Sequence, residues 1–106
     1  MVIEIDLRSE PPAVNLREPH DFGSFMVVAR GGDKDRARRA QALRRIGRVA
    51  EDGNVFIGAE TLLALAGERA HEPQWLASFD GMRAYARAHQ WTDPTGAIQG
   101  HVEWIP

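Results

Sequence analysis

At 106 residues the chain has the length of one domain, and we read residues 1–106 as a single domain with one core. Its 43% hydrophobic and 26% charged residues, with a net charge of −2, lie in the ordinary globular range, far from the disordered and the membrane regimes. With no cysteine, disulfides, thiol nucleophiles and thiolate metal ligands are excluded, so only His, Asp and Glu remain to hold a metal.

The opening stretch MVIEIDLRSEPP carries Glu4 and Asp6 inside its apolar run, which does not suit a secretory signal. No apolar run approaches the roughly 18 residues of a membrane span. The expected location is the cytoplasm, with no membrane contact. Twelve of the thirteen basic residues are Arg, which we read as codon bias without functional weight.

Residues 1–7 alternate apolar and acidic side chains and predict a first strand with one wet face. Residues 8–23 hold Pro11, Pro12, Pro19 and Gly23 and read as a proline-rich connecting segment. SFMVVAR, residues 24–30, then predicts a central strand ending at Gly31-Gly32. Asp33 is the expected cap of a helix through KDRARRAQALRRI, with Asp35 in its first turn. Asp52-Gly53 between two β-prone runs predicts a hairpin, whose register depends on whether its loop has two residues or three.

ETLLALAG predicts a short helix closed by Gly67, and Glu72-Pro73 opens a longer one with Pro73 at a first-turn position. At 100° per residue, Trp75, Phe79, Met82 and Ala86 fall within roughly 60° of arc, with Tyr85 and His89 along one flank. Turn residues at 91–96 lead to a closing strand that sets Ile98, Gly100, Val102 and Trp104 against Gln99, His101 and Glu103. The expected fold is α+β: a small, mostly antiparallel sheet of about five strands with three helices packed mainly on one face.

Three groups of residues are candidates for function. His101 and Glu103 share a strand face at a spacing of about 7 Å, which suits a base and its orienter or two metal ligands. A working site needs a third group, and His20 with Asp21 is the natural source. His89 beside Tyr85 is a further candidate base, although a histidine at a helix end more commonly meets the last carbonyls. A plain solvated strand face is the commoner reading of His101 and Glu103.

The second group is basic. Residues 33–48 hold seven Lys/Arg against two Asp, a net of +5, so the remainder of the chain carries −7. On a helical wheel Arg38, Gln41, Arg45 and Arg48 share one face, a surface for an acidic partner or a second copy. Nucleic-acid binding through Arg38, Arg45 and Arg48 is disfavoured by the negative whole-chain charge and by the absence of aromatic residues among the arginines. The third group, Tyr85, Trp91 and Trp104, marks the place to seek a pocket between the long helix and the sheet, near His101.

Phosphate-loop, dinucleotide-turn, nucleophile-elbow and paired-His zinc signatures are absent. Asp33 and Asp35 argue against an anion site behind Gly31-Gly32. The expected role is therefore binding or assembly through protein–protein contacts, with the arginine helix as the contact surface. Catalysis is not the expected role and no cofactor is expected. The alternatives are a small enzyme or metal-binding protein using His101 and Glu103 with His20 and Asp21, or a nucleic-acid binder.

Overall fold

A computed structural model describes residues 1–31 and 35–106. The strand β1 (Val2–Asp6) follows the alternation of its sequence, burying Ile3 and Ile5 while Val2, Glu4 and Asp6 take the other face. β2 (Ala13–Arg17) runs back antiparallel to it, with Glu4 opposite Asn15. β3 (Met26–Arg30) lies parallel to β1 and buries Val27 and Ala29.

The helix α1 (Arg36–Arg44) is followed by a hairpin of β4 (Arg48–Val49) and β5 (Val55–Ile57). Then come α2 (Ala59–Ala66), a 3₁₀ segment at Gly67–His71, α3 (Pro73–Ala88) and the closing strand β6 (Ile98–Ile105). The sheet order is β2-β1-β3-β6-β5-β4.

Among the described residues the α+β class and the three helices stand, but the sheet is a mixed one of six strands. Three antiparallel pairings flank two parallel ones, β1 with β3 and β3 with β6, at its centre. Local alternation in sequence is blind to this, because β3 meets β6 only after an excursion of some seventy residues through three helices and a hairpin.

The sixth strand is β2, inside the segment read as a proline-rich connection. Its prolines bracket the strand instead of interrupting it: Pro11 and Pro12 precede Ala13, and Pro19 follows Arg17. Between them Val14 and Leu16 pack against the core while Asn15 and Arg17 stay exposed.

The capping of α1 also differs from expectation. Asp35, not a residue in the first turn, is its N-cap, accepting a bond of 3.0 Å from the Arg38 N–H. Asp33 lies outside the described residues. At the hairpin the Ala50 N–H bonds the Asn54 carbonyl at 2.8 Å and the Gly53 N–H bonds the Ala50 carbonyl at 3.0 Å. The loop therefore has three residues, Glu51, Asp52 and Gly53, with Gly53 at φ 89° as such a loop demands.

Buried apolar residues from all three helices and from one face of the sheet form a single cluster. α3 contributes Trp75, Phe79, Met82 and Ala86, the stripe its periodicity predicts. The Trp75 and Phe79 rings stack with centroids 5.1 Å apart, and the Trp75 Nε1–H donates to the Pro19 carbonyl at 2.8 Å, tying the β2–β3 loop to the helix layer. No helix among the described residues is long and apolar enough to cross a membrane.

The entry to β6 is held by one carboxylate. Asp93 Oδ1 accepts from the Thr95 hydroxyl at 2.6 Å, the Thr95 N–H at 2.9 Å and the Ala97 N–H at 3.0 Å, while Oδ2 accepts from Arg48 at 3.2 Å. The Thr95 hydroxyl first, then the Ala97 and Arg48 bonds, outweigh the cost of burial and lower its pKa to about 2. A carboxylate with a depressed folded-state pKa stabilises the fold above its ordinary pKa, and that contribution fades as pH falls through the depressed value. Asp93→Ala is accordingly expected to lower the urea midpoint at pH 6, with the gap to wild type closing between about pH 4 and pH 2. A gap independent of pH would contradict this assignment.

Candidate functional site

The arginine-rich segment does not form one exposed stripe. α1 ends at Arg44, Arg45 is its C-cap, and Arg48 has passed into β4. The break comes at Ile46-Gly47, where Ile46 turns into the core and Gly47 comes against β5. Arg38 donates to Glu10 at 2.9 Å and to the Ser9 carbonyl at 3.1 Å. Arg48 bonds Asp93 and lays its guanidinium over Phe56 at 4.6 Å, while Arg39 covers Trp104 at 4.5 Å. The wheel that joined Arg38, Arg45 and Arg48 is thus corrected: Arg48 belongs to another element, and Arg38 and Arg48 are engaged within the chain.

What α1 builds instead is one wall of a groove beside β2. A cavity of about 380 Å³ is lined by Val14 of β2, by Arg45 and Ile46 after α1, and by Glu60, Thr61, Ala64 and Leu65 of α2. A second hollow of about 240 Å³ adjoins it at Arg45 and adds Glu10, Pro11, Pro12, Arg38 and Gln41. Arg45 stands exposed on the shared rim.

Among the described residues β2 is an edge strand, paired on one side only. Which of its backbone groups are free follows from the neighbouring ladder. The Leu7 N–H bonds the Arg30 carbonyl at 2.8 Å and the Met26 N–H bonds the Met1 carbonyl at 3.2 Å, so the odd residues of β1 face β3 and the even ones face β2. Ala13, Asn15 and Arg17, opposite Asp6, Glu4 and Val2, then bond inward. Val14 and Leu16 aim their N–H and C=O groups outward, along the edge beside the groove.

The polar candidates of the sequence are kept apart. His101 and Glu103 are exposed on the sheet face away from the helices, beside Met26 and Val28 of β3. Asp21 serves its own loop: it accepts from the Gly23 N–H at 3.1 Å and the Ser24 hydroxyl at 2.9 Å and lies 3.9 Å from the N-terminal ammonium. The Ser24 bond, with the Gly23 bond and the ammonium, holds its carboxyl below the usual range. His20 is exposed in that loop. Among the described residues no three His, Asp or Glu side chains converge as a metal site, so His20 and Asp21 do not join His101 and Glu103.

The aromatic candidates divide. Trp104 sits at the far end of β6, half-buried under Arg39, and is not part of a pocket with the other two. Tyr85 and Trp91 do stand together, 59% and 46% exposed, with ring centroids 5.8 Å apart. His89 lies against both, 4.1 Å from the Tyr85 ring and 4.7 Å from the Trp91 ring, with its Nδ1 2.9 Å from the Tyr85 carbonyl.

The turn that brings them together escaped the sequence reading. The Trp91 N–H bonds the Ala86 carbonyl at 2.9 Å and the Gln90 N–H bonds the Arg87 carbonyl at 3.0 Å, a Schellman closure with Gln90 at φ 61°. Glycine or asparagine usually marks that position, and here glutamine fills it.

Comparison with family models, with curated proteins and with solved structures finds no match for this chain.

Proposed function

We propose that this protein is a binding module that takes an extended segment of a partner polypeptide along β2, with the end of the arginine helix as the wall that selects its charge. The observation that carries this reading is the outward backbone edge at Val14 and Leu16 beside a groove floored by apolar side chains. An unpaired strand edge offers a row of donors and acceptors that another extended backbone satisfies, and side chains at alternate positions reach the flanking pockets.

One such side chain would seat against Val14, Ile46 and Leu65, which favours an aliphatic or aromatic residue. Its neighbours would meet Arg45, which favours an acidic one. Prolines on both sides limit the pairing to the five residues of β2, so the partner segment is short. The cytoplasmic setting expected from the sequence belongs to this reading, and no cofactor enters it.

The test is to pan a phage-displayed library of random linear peptides on the immobilised, full-length chain. Enriched peptides should carry an apolar residue with acidic neighbours. Their affinity should fall at least tenfold on Arg45→Glu, which reverses the wall, and on Ala64→Trp, which fills the hollow from an exposed position. In amide-exchange measurements the bound peptide should protect Val14 and Leu16. No enrichment over bare support, or peptides that bind Ala64→Trp as well as wild type, would overturn the reading. Enrichment without the acidic bias would leave Arg45 out of it and refute the charge selection.

A further inference from the structure

Trp91 stands between two hollows that share Phe25 and Gln99. On one side a cavity of about 280 Å³ runs between α3 and the start of β6, lined by Phe22, Phe25, Met82, Tyr85, Ala86 and Ile98. On the other a depression of about 330 Å³ reaches Asn54 and His101 on the outer sheet face. We infer that the first hollow is a binding site for a small, neutral aromatic molecule whose polar substituent points past Trp91 toward Gln99 and His101.

Four features lead to this ligand class. The lining supplies the faces and edges of Phe22, Phe25, Tyr85 and Trp91, half of the eight aromatic residues in the chain, and ring pairs favour offset or edge-on contacts beyond their area. Among the described residues no ionisable side chain other than the Tyr85 phenol lines the cavity, so a charged group placed there would lose its hydration without a counter-ion. The volume suits one or two rings, since a cavity of roughly 150 Å³ already holds benzene. The Ser24 hydroxyl at its rim already donates to Asp21, so the polar end of the hollow is at Gln99, shared with the second depression, where the carboxamide offers both donor and acceptor and the His101 imidazole is a further lining group.

The site is also held in place. The Trp91 N–H bonds Ala86 on the helix, and its carbonyl accepts from the Gln99 N–H at 2.8 Å on the strand. Tyr85 and His89 back its ring from the last turn of α3. Rings fixed before binding cost little further ordering when a ligand arrives, which is the usual advantage of a preformed pocket. This surface is separate from the β2 groove, and neither proposal depends on the other.

Fluorine NMR on 4-fluorophenol tests it directly. Wild-type protein should broaden and shift the probe saturably, with a matching shift of one indole N–H resonance that is lost in Trp91→Phe. Trp91→Ala and Tyr85→Ala, both at exposed positions, should weaken binding at least tenfold while amide spectra show the fold intact. 4-Fluorobenzoate, the anionic counterpart, should bind at least tenfold more weakly than the phenol. No saturable effect with folded wild-type protein, or equal binding by both alanine variants, would overturn the site, and equal binding of the benzoate would overturn the assignment of a neutral ligand.

Discussion

Phe79→Ala is expected to cost about 3 to 5 kcal/mol of folding stability, read as a drop in the denaturant midpoint at unchanged slope. Phe79 is 1% exposed and the largest of the fully buried side chains. Its ring stacks on Trp75, which in turn meets the edge of Phe22 at a centroid distance of 5.7 Å. Truncation removes the apolar area of the ring and leaves a void that Trp75, pinned by its bond to Pro19, is poorly placed to fill. A domain of this size holds only about 5 to 15 kcal/mol in all, so this one truncation should remove about a fifth of it or more. A loss under 1 kcal/mol would mean that the helix layer can close over the gap and that α3 does not sit as described.

Gly47→Ala should be almost as damaging, by about 3 kcal/mol, although it adds one methyl group. A Cβ built at Gly47 would stand 2.1 Å from the Phe56 carbonyl oxygen and 2.9 Å from its carbon. Both are backbone atoms in β5, so no rotamer change relieves the clash. Either β5 moves away from the end of α1, breaking its register with β6, or the last turn of α1 lifts and withdraws Ile46 from the core. Gly53→Ala in the hairpin loop makes a useful contrast: nothing lies within 4 Å of its Cβ, and only its positive φ opposes the change. It should cost about 1 kcal/mol, from the left-handed backbone alone. If the two substitutions cost the same in thermal or urea denaturation, close packing at Gly47 is not what the site requires.

Legibility in the sequence tracked how local each determinant was. The α3 stripe was readable because Trp75, Phe79 and Met82 carry its period with bulk, and Pro73 and Gly67 mark element ends by their backbone preferences. β6 was readable from strict alternation, including the separation of Trp104 from His101 and Glu103. β2 was hidden because three prolines within two residues of its ends outweighed an alternation of only five positions. The parallel centre was hidden because its pairings join residues far apart in the chain.

The candidate site shows the same division. Arg38 and Arg45 do sit beside a groove, yet the other wall comes from α2 and the floor from β2, and no period in the arginine segment reports on either. Arg48 was misplaced because a helical wheel ignores Gly47, the residue that lets the chain turn. Tyr85, Trp91 and Trp104 were grouped in the sequence as one place to seek a pocket, and of the three only Tyr85 and Trp91 stand together. The turn that fixes this pair, with glutamine in a left-handed conformation, carries no common signature.

That turn has a consequence for measurement. The backbone of Trp91 is fastened to the helix layer by its amide and to the sheet by its carbonyl, while its indole stays nearly half in water. Any sliding of one layer over the other must therefore tilt this fluorophore between wetter and drier surroundings. The protein carries its own gauge of interlayer displacement, to be read without a label once the emission of Trp75 and Trp104 has been subtracted.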